Sequence, residues 1–261
     1  MYSNNQQQIR ANTDARVKIV LTLVFLLSLN SLPLQVWPIY ILFLSLLYAS
    51  SLFLGVKIGE LLKRSLIALP FVISAFPLIF ARDASTFMLF QGLGWSIPIS
   101  LDGIQKFTST FVKAWISVQA ASLLMLSTAI PDLINGLHYL NVPQIFITIA
   151  MLMWRYLSVL VHEVNAMMTA RSSRSGVALK NRRTGGTVFW RAKVTGGMAG
   201  SLFIRSMDRS ERVYAAMQSR GYNGKLPAVF SKPVSRTSRL QIVAGGMLLI
   251  ALWLFGMLIG G

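Results

Sequence analysis

The sequence predicts an all-α integral membrane protein, with about five transmembrane helices plus a basic cytoplasmic domain of about three helices. Three observations predict it. Of 261 residues, 54% are hydrophobic and only 13% charged, where a soluble domain carries about a quarter charged. Several apolar runs approach the roughly 20 residues that cross hydrocarbon. The formal charge of +17 is concentrated: sixteen of the 25 Lys and Arg lie between Arg155 and Arg239, against three acids, Glu163, Asp208 and Glu211.

Val17–Leu34 and Val36–Val56 are the first two expected spans, joined by a tight turn at Pro33 and Pro38. The polar residues before them show no cleavage site after the first apolar run, so that run reads as a retained span. Leu66–Ala81 is a third, interrupted by Pro70 and Pro77, which neighbouring helices can accommodate. Ile104–Ile130 is a fourth, whose Lys106 and Lys113 can snorkel to an interface. Leu240–Ile259 is the last. Pro143–Val161 is also long enough to cross, but counting it would export the basic stretch, against the positive-inside rule. Arg155 in its middle adds to that case. Five spans follow, with the N-terminus and the basic domain cytoplasmic and Asp83–Gly103, which has no Lys or Arg, outside. The regions are residues 1–130, four spans; 131–239, cytoplasmic or interfacial; and 240–261, the last span.

Within the basic region, Pro131 and Pro143 bound a short amphipathic helix, PDLINGLHYLNVP, with Leu133, Leu137 and Leu140 on one face. A long helix follows from Pro143 to Arg174, at or below the interface. A Gly- and Lys/Arg-rich loop is expected over Ser175–Gly200, then a third helix, Ser201–Arg220, stopped by Gly221. The two longer helices share an ending: Ala170-Arg171-Ser172-Ser173-Arg174-Ser175 and Ser219-Arg220-Gly221 each set an Arg among small residues at a helix C-terminus. Arg there favours the negative end of the helix dipole. The same arrangement lets a partner approach closely while the guanidinium reaches carboxylates or carbonyls in a bidentate way.

At these residues the sequence resembles the transmembrane T component of energy-coupling factor (ECF) transporters, a branch of the ABC transporters. The nearest likeness is to the cobalt-type, CbiQ-like T component. It is most specific in Trp154-Arg155-Tyr156-Leu157 through Arg174, and in Arg205-Ser206-Met207-Asp208-Arg209-Ser210-Glu211-Arg212-Val213-Tyr214 through Tyr222. That family carries two Ala-Arg-Gly motifs at the ends of coupling helices. Their counterparts here look like Ser173-Arg174-Ser175 and Ser219-Arg220-Gly221, with Ala170-Arg171-Ser172 as another reading of the first. The resemblance implies that the basic region is a coupling domain docking two ATP-hydrolysing subunits, one at each Arg. It also implies a substrate-binding membrane S component that releases cobalt or nickel inward, or a vitamin such as biotin if the module is shared. It implies a plasma-membrane location and no catalysis in this chain.

Other signals are weaker. Gly221-Tyr222-Asn223-Gly224-Lys225 lacks the first glycine and the Ser/Thr of a P-loop. With no Cys and only His138 and His162, neither a metal site nor a cofactor is expected. Gly256-x-x-x-Gly260 and Gly245-Gly246 suit close approach of a partner helix. A membrane enzyme acting on lipid phosphates would show acidic ligands at helical spacing, such as Asp-x-x-Asp, and that motif is absent. Nucleic acid is excluded because the basic residues lack aromatic interleaving.

Overall fold

The computed structural model describes residues 14–33, 36–67, 70, 86–92, 95–140, 142–174, 187–222 and 236–260. Among these, the helices are α1 (Ala15–Ser31), α2 (Trp37–Phe53), α3 (Ile58–Ile67), α4 (Leu101–Ser127), α5 (Ile130–Leu137), α6 (Gln144–Arg174), α7 (Val188–Ser219) and α8 (Arg236–Gly260). A short antiparallel hairpin, β1 (Thr86–Gly92) and β2 (Trp95–Ser100), pairs Thr86 with Ser100 and Gly92 with Trp95. It falls in the stretch expected to face outside. The helical, membrane-embedded class is as the sequence predicts. Most of the expected third span, from residue 68 onward, lies outside the described residues apart from Pro70.

The chain forms two compact units, Met1–Gly136 with Lys232–Gly261, and Leu137–Ser231. In the first, α1 and α2 form an antiparallel hairpin. Phe25 and Phe43, each six residues from the turn, meet with ring centroids 5.2 Å apart. Tyr40 donates its hydroxyl to the Pro33 carbonyl at 2.9 Å, holding the turn. After α2, Gly55 takes a left-handed φ of 67°. Gly55 N–H then reaches Leu52 O and Val56 N–H reaches Ser51 O, which closes the helix end. Leu29, Ile39, Phe43, Leu61, Ile116 and Leu249 make a core drawn from five helices.

Two buried lysines tie α1 to α4. Lys18 donates to the Ser127 carbonyl at 2.9 Å, and Lys113 donates to Leu32 O at 2.5 Å and Asn30 O at 3.4 Å. Each helix of this antiparallel pair therefore supplies the cation that caps the other's C-terminal carbonyls, which have no partner in their own helix. Lys113 thus extends along α4 to the end of α1, and Lys18 along α1 to the end of α4. Leaving a buried carbonyl without its donor costs about 1–3 kcal/mol. Lys113→Met should lower the stability of the solubilised protein by that amount, seen as a fall in thermal midpoint; an unchanged midpoint would show the cap to be dispensable.

The last helix runs parallel to the first and in register with it. Ser238 donates to the Asp14 carboxylate, a pair 224 positions apart. Gly245 faces Leu21 and Gly256 faces Leu32 at the same offset, and a Cβ on Gly245 would lie 2.7 Å from a Leu21 methyl. The glycines thus serve packing inside the chain. Gly256 meets Leu32 and Ile39, not a partner subunit, while Gly246 has nothing within 4 Å. Gly136 likewise brings α5 onto Ile19 of α1.

Candidate functional site

The expected docking residues belong to the second unit, where α6 and α7 pack antiparallel. Glu163 on α6 accepts from Arg209 at 3.1 Å and from Arg205 at 3.5 Å. Further along, Arg171 donates to the Thr195 hydroxyl at 3.2 Å. A cleft of about 600 Å³ follows the contact, with Arg171, Arg174, Trp190 and Met198 among its walls. Glu163 was not singled out from sequence. The available signal was that it is the single acid on an otherwise basic or neutral α6, which is where two arginines of a neighbouring helix find their counter-ion.

The start of α7 corrects the sequence reading. The helix begins at Val188, not at Ser201, so Gly196, Gly197 and Gly200 are helical. Thr187 caps it by accepting from the Trp190 N–H at 3.3 Å. Glycine costs a helix about 1 kcal/mol relative to alanine, which is why the run reads as a loop. The cap and the tertiary contact at Thr195 offset that cost.

Arg174 is the last residue of α6 and is exposed. Ser173 before it turns its hydroxyl back to the Thr169 carbonyl at 3.0 Å. Ser175 lies outside the described residues. Arg220 caps α7, also exposed, and Ser219 before it turns back to the Ala216 carbonyl at 3.0 Å. The two ends therefore share one local design: a serine satisfied by its own helix, then an exposed arginine at the helix terminus. Gly221 explains itself. At φ 80° it lets its own N–H reach Gln218 O and the Tyr222 N–H reach Met217 O, closing the helix with a geometry that favours glycine.

The two arginines are far apart. Arg174 lines the same cleft as Trp190, and Arg220 lies thirty residues further along α7. At 1.5 Å per residue this separates them by about 45 Å. Arg171 differs from both, being half-buried and bound to Thr195. Among the described residues, Arg174 has no such bond.

Residues 6–229 match the family described as CbiQ, cobalt transport protein. The chain belongs to this family. The match covers α1 through α7 and includes both arginine-bearing helix ends. Among curated relatives, an uncharacterised protein of Methanocaldococcus jannaschii is 28% identical over 85% of this chain and 74% of its own length. The cobalt transport protein CbiQ of Rhodobacter capsulatus is 28% identical over 68% of this chain and 72% of its own. The energy-coupling factor transporter transmembrane protein EcfT of Lacticaseibacillus paracasei is 25% identical over 82% and 81% respectively. These relatives agree with the T-component resemblance drawn from the residues around Arg174 and Arg220.

Proposed function

We propose that the chain is the energy-coupling transmembrane subunit of an ECF-type importer of cobalt or nickel ions. It transmits movement of two ATPase subunits to a substrate-binding membrane subunit. The observation that carries this is the pair of exposed arginines at helix ends about 45 Å apart. A single partner groove cannot take both, whereas two copies of one ATPase, each receiving one arginine, can. The chain's own residues do no chemistry in this scheme. Arg174 and Arg220 hold the partners, and the Glu163 contacts to Arg205 and Arg209 make α6 and α7 move together.

The sidedness of the coupling unit is supported by the first unit alone. α1 and α8 run parallel, so both begin on one side of the bilayer. α4 is antiparallel to α1, so Ser127 ends on that side too. The segment from Ser127 to Arg236 then crosses an even number of times. By length and composition α6 is able to cross, as are Gly103–Ser127 and Arg236–Leu258. α7 is not, because Arg191, Lys193, Arg205, Asp208, Arg209, Glu211 and Arg212 punctuate it. The stretches between the helices are too short to cross. An even count thus favours α6 remaining on the starting side, which the positive-inside rule makes cytoplasmic. A cysteine replacing the exposed Lys193 should react only with a membrane-permeant thiol reagent. Labelling from outside intact cells would overturn this placement.

The docking role separates neighbouring arginines. Arg174→Glu should reduce ATPase co-purification, while Arg171→Glu, which breaks only the internal bond to Thr195, should leave most of it. The reverse ranking would move the docking point one turn back along α6.

A further inference from the structure

A cleft of about 430 Å³ lies among α1, α2, α4 and α8, away from the arginine ends described above. Its walls are almost wholly apolar, with Leu21, Phe25, Leu47, Leu123 and Leu248 among them. Among the described residues its few polar groups are Lys18, Thr22, Ser50, Ser127 and Gln241. Their positions follow one rule. α1 contributes residues 17–25, near its start; α2 contributes its last turns; α4 contributes its end; and α8 contributes its beginning. Because α1 and α8 are parallel and α2 and α4 antiparallel to them, all four contributions come from the same half of the bundle. Nine residues of α1 span about 12 Å, close to half of a hydrocarbon core about 30 Å thick. The cleft therefore has the depth of one leaflet.

Its polar end meets a basic rim. Arg16 stands in the first turn of α1, Lys57 follows α2, and Arg236 and Arg239 stand in the first turn of α8. Among the described residues the acids at that end are Asp14, which already accepts from Ser238, Glu60 in the first turn of α3, and Asp132 at the start of α5, fewer than the cations around them. A chain of methylenes fits. Taking each as comparable to a water's share of about 30 Å³, the space accepts about fourteen.

We propose that the cleft binds one acyl chain of an anionic phospholipid from the leaflet on the side where α1 begins, with the lipid phosphate held by the exposed Lys57, Arg236 and Arg239. The lipid then fills the gap between α2 and α8 at this end, the two helices meeting toward the other end where Gly256 faces Ile39. Phe53, 74% exposed on the rim, covers the chain from the bilayer side.

The test uses the full chain in nanodiscs of equal phosphatidylglycerol and phosphatidylcholine, each lipid carrying in turn a photoreactive diazirine on its acyl chain. Peptide mass spectrometry then locates the adducts. Adducts should concentrate on α2 residues 46–54 and α8 residues 241–249, and the phosphatidylglycerol probe should give at least about fivefold more of them, the effect of roughly one basic residue at a membrane surface. Ala244→Trp, which fills the cleft from its rim, should remove these adducts for both probes. Arg236→Gln with Arg239→Gln, both at the surface, should keep the adducts but bring the two lipids toward equality. Adducts spread evenly over the lipid-facing helices would overturn the proposal. So would equal labelling of the unaltered protein by the two lipids, or a cleft shielded from both probes by a helix of another chain.

Discussion

Charge reversal of Arg174 and Arg220 together should release the ATPase subunits from the membrane chain while leaving its fold intact. Truncating one side of a buried, hydrogen-bonded charge pair at an interface costs about 2–5 kcal/mol, at least about thirtyfold in affinity at 1.4 kcal/mol per tenfold. Two such contacts on one chain also reinforce each other by raising effective concentration, an advantage lost when both go. The double variant should therefore fall far below either single one. The fold should survive because both side chains are exposed and the end of α7 is closed by backbone bonds at Gly221 and Tyr222, not by the Arg220 side chain. An acid at a helix C-terminus costs about 0.3–1 kcal/mol, and the matching Arg→Gln pair controls for it. Co-purification with a tagged ATPase, alongside the thermal midpoint of the membrane chain, reads both effects. Full retention of ATPase by a folded double variant would sink the docking model.

The second large effect is expected at Gly256. A Cβ there overlaps a Leu32 methyl and lies 3.1 Å from one on Ile39, and both side chains are buried in the core. Overpacking a filled core costs about 1–3 kcal/mol. Between membrane helices the consequence is sharper, since close packing, more than exclusion of water, drives their association. Gly256→Val should therefore lower the thermal midpoint clearly and weaken a disulfide engineered between α1 and α8. Gly246→Val, with open space around it, should change little. Equal effects from the two substitutions would mean that α8 does not pack on α1 through its glycines.

Much of the architecture is legible before any coordinates. Hydropathy and length mark the helical, membrane-embedded class, because both are summed over a run of residues and need no partner. The short helix after Pro131 and the stop at Gly221 are legible for a related reason: proline and glycine act on the backbone at their own positions. The two arginines are legible as a repeated local pattern. Where the reading failed, the missing cause lay elsewhere in the chain. Gly196, Gly197 and Gly200 argue for a loop on propensity, and the helix forms through the Thr187 cap and the contacts of Thr195 and Arg205 with α6.

By itself, then, the sequence determined that this protein is a helical membrane protein with a basic unit whose helices end in Arg174 and Arg220. The tertiary structure decided what those elements do to one another. It set α8 parallel to α1, gave Lys18 and Lys113 to each other's helix as caps, turned Gly245 and Gly256 inward, and made Glu163 the link between α6 and α7. The physical reason is that periodicity and charge identify which face of a helix must be covered. Only the distant groups brought against that face, a carbonyl, a methyl or a guanidinium, decide what covers it.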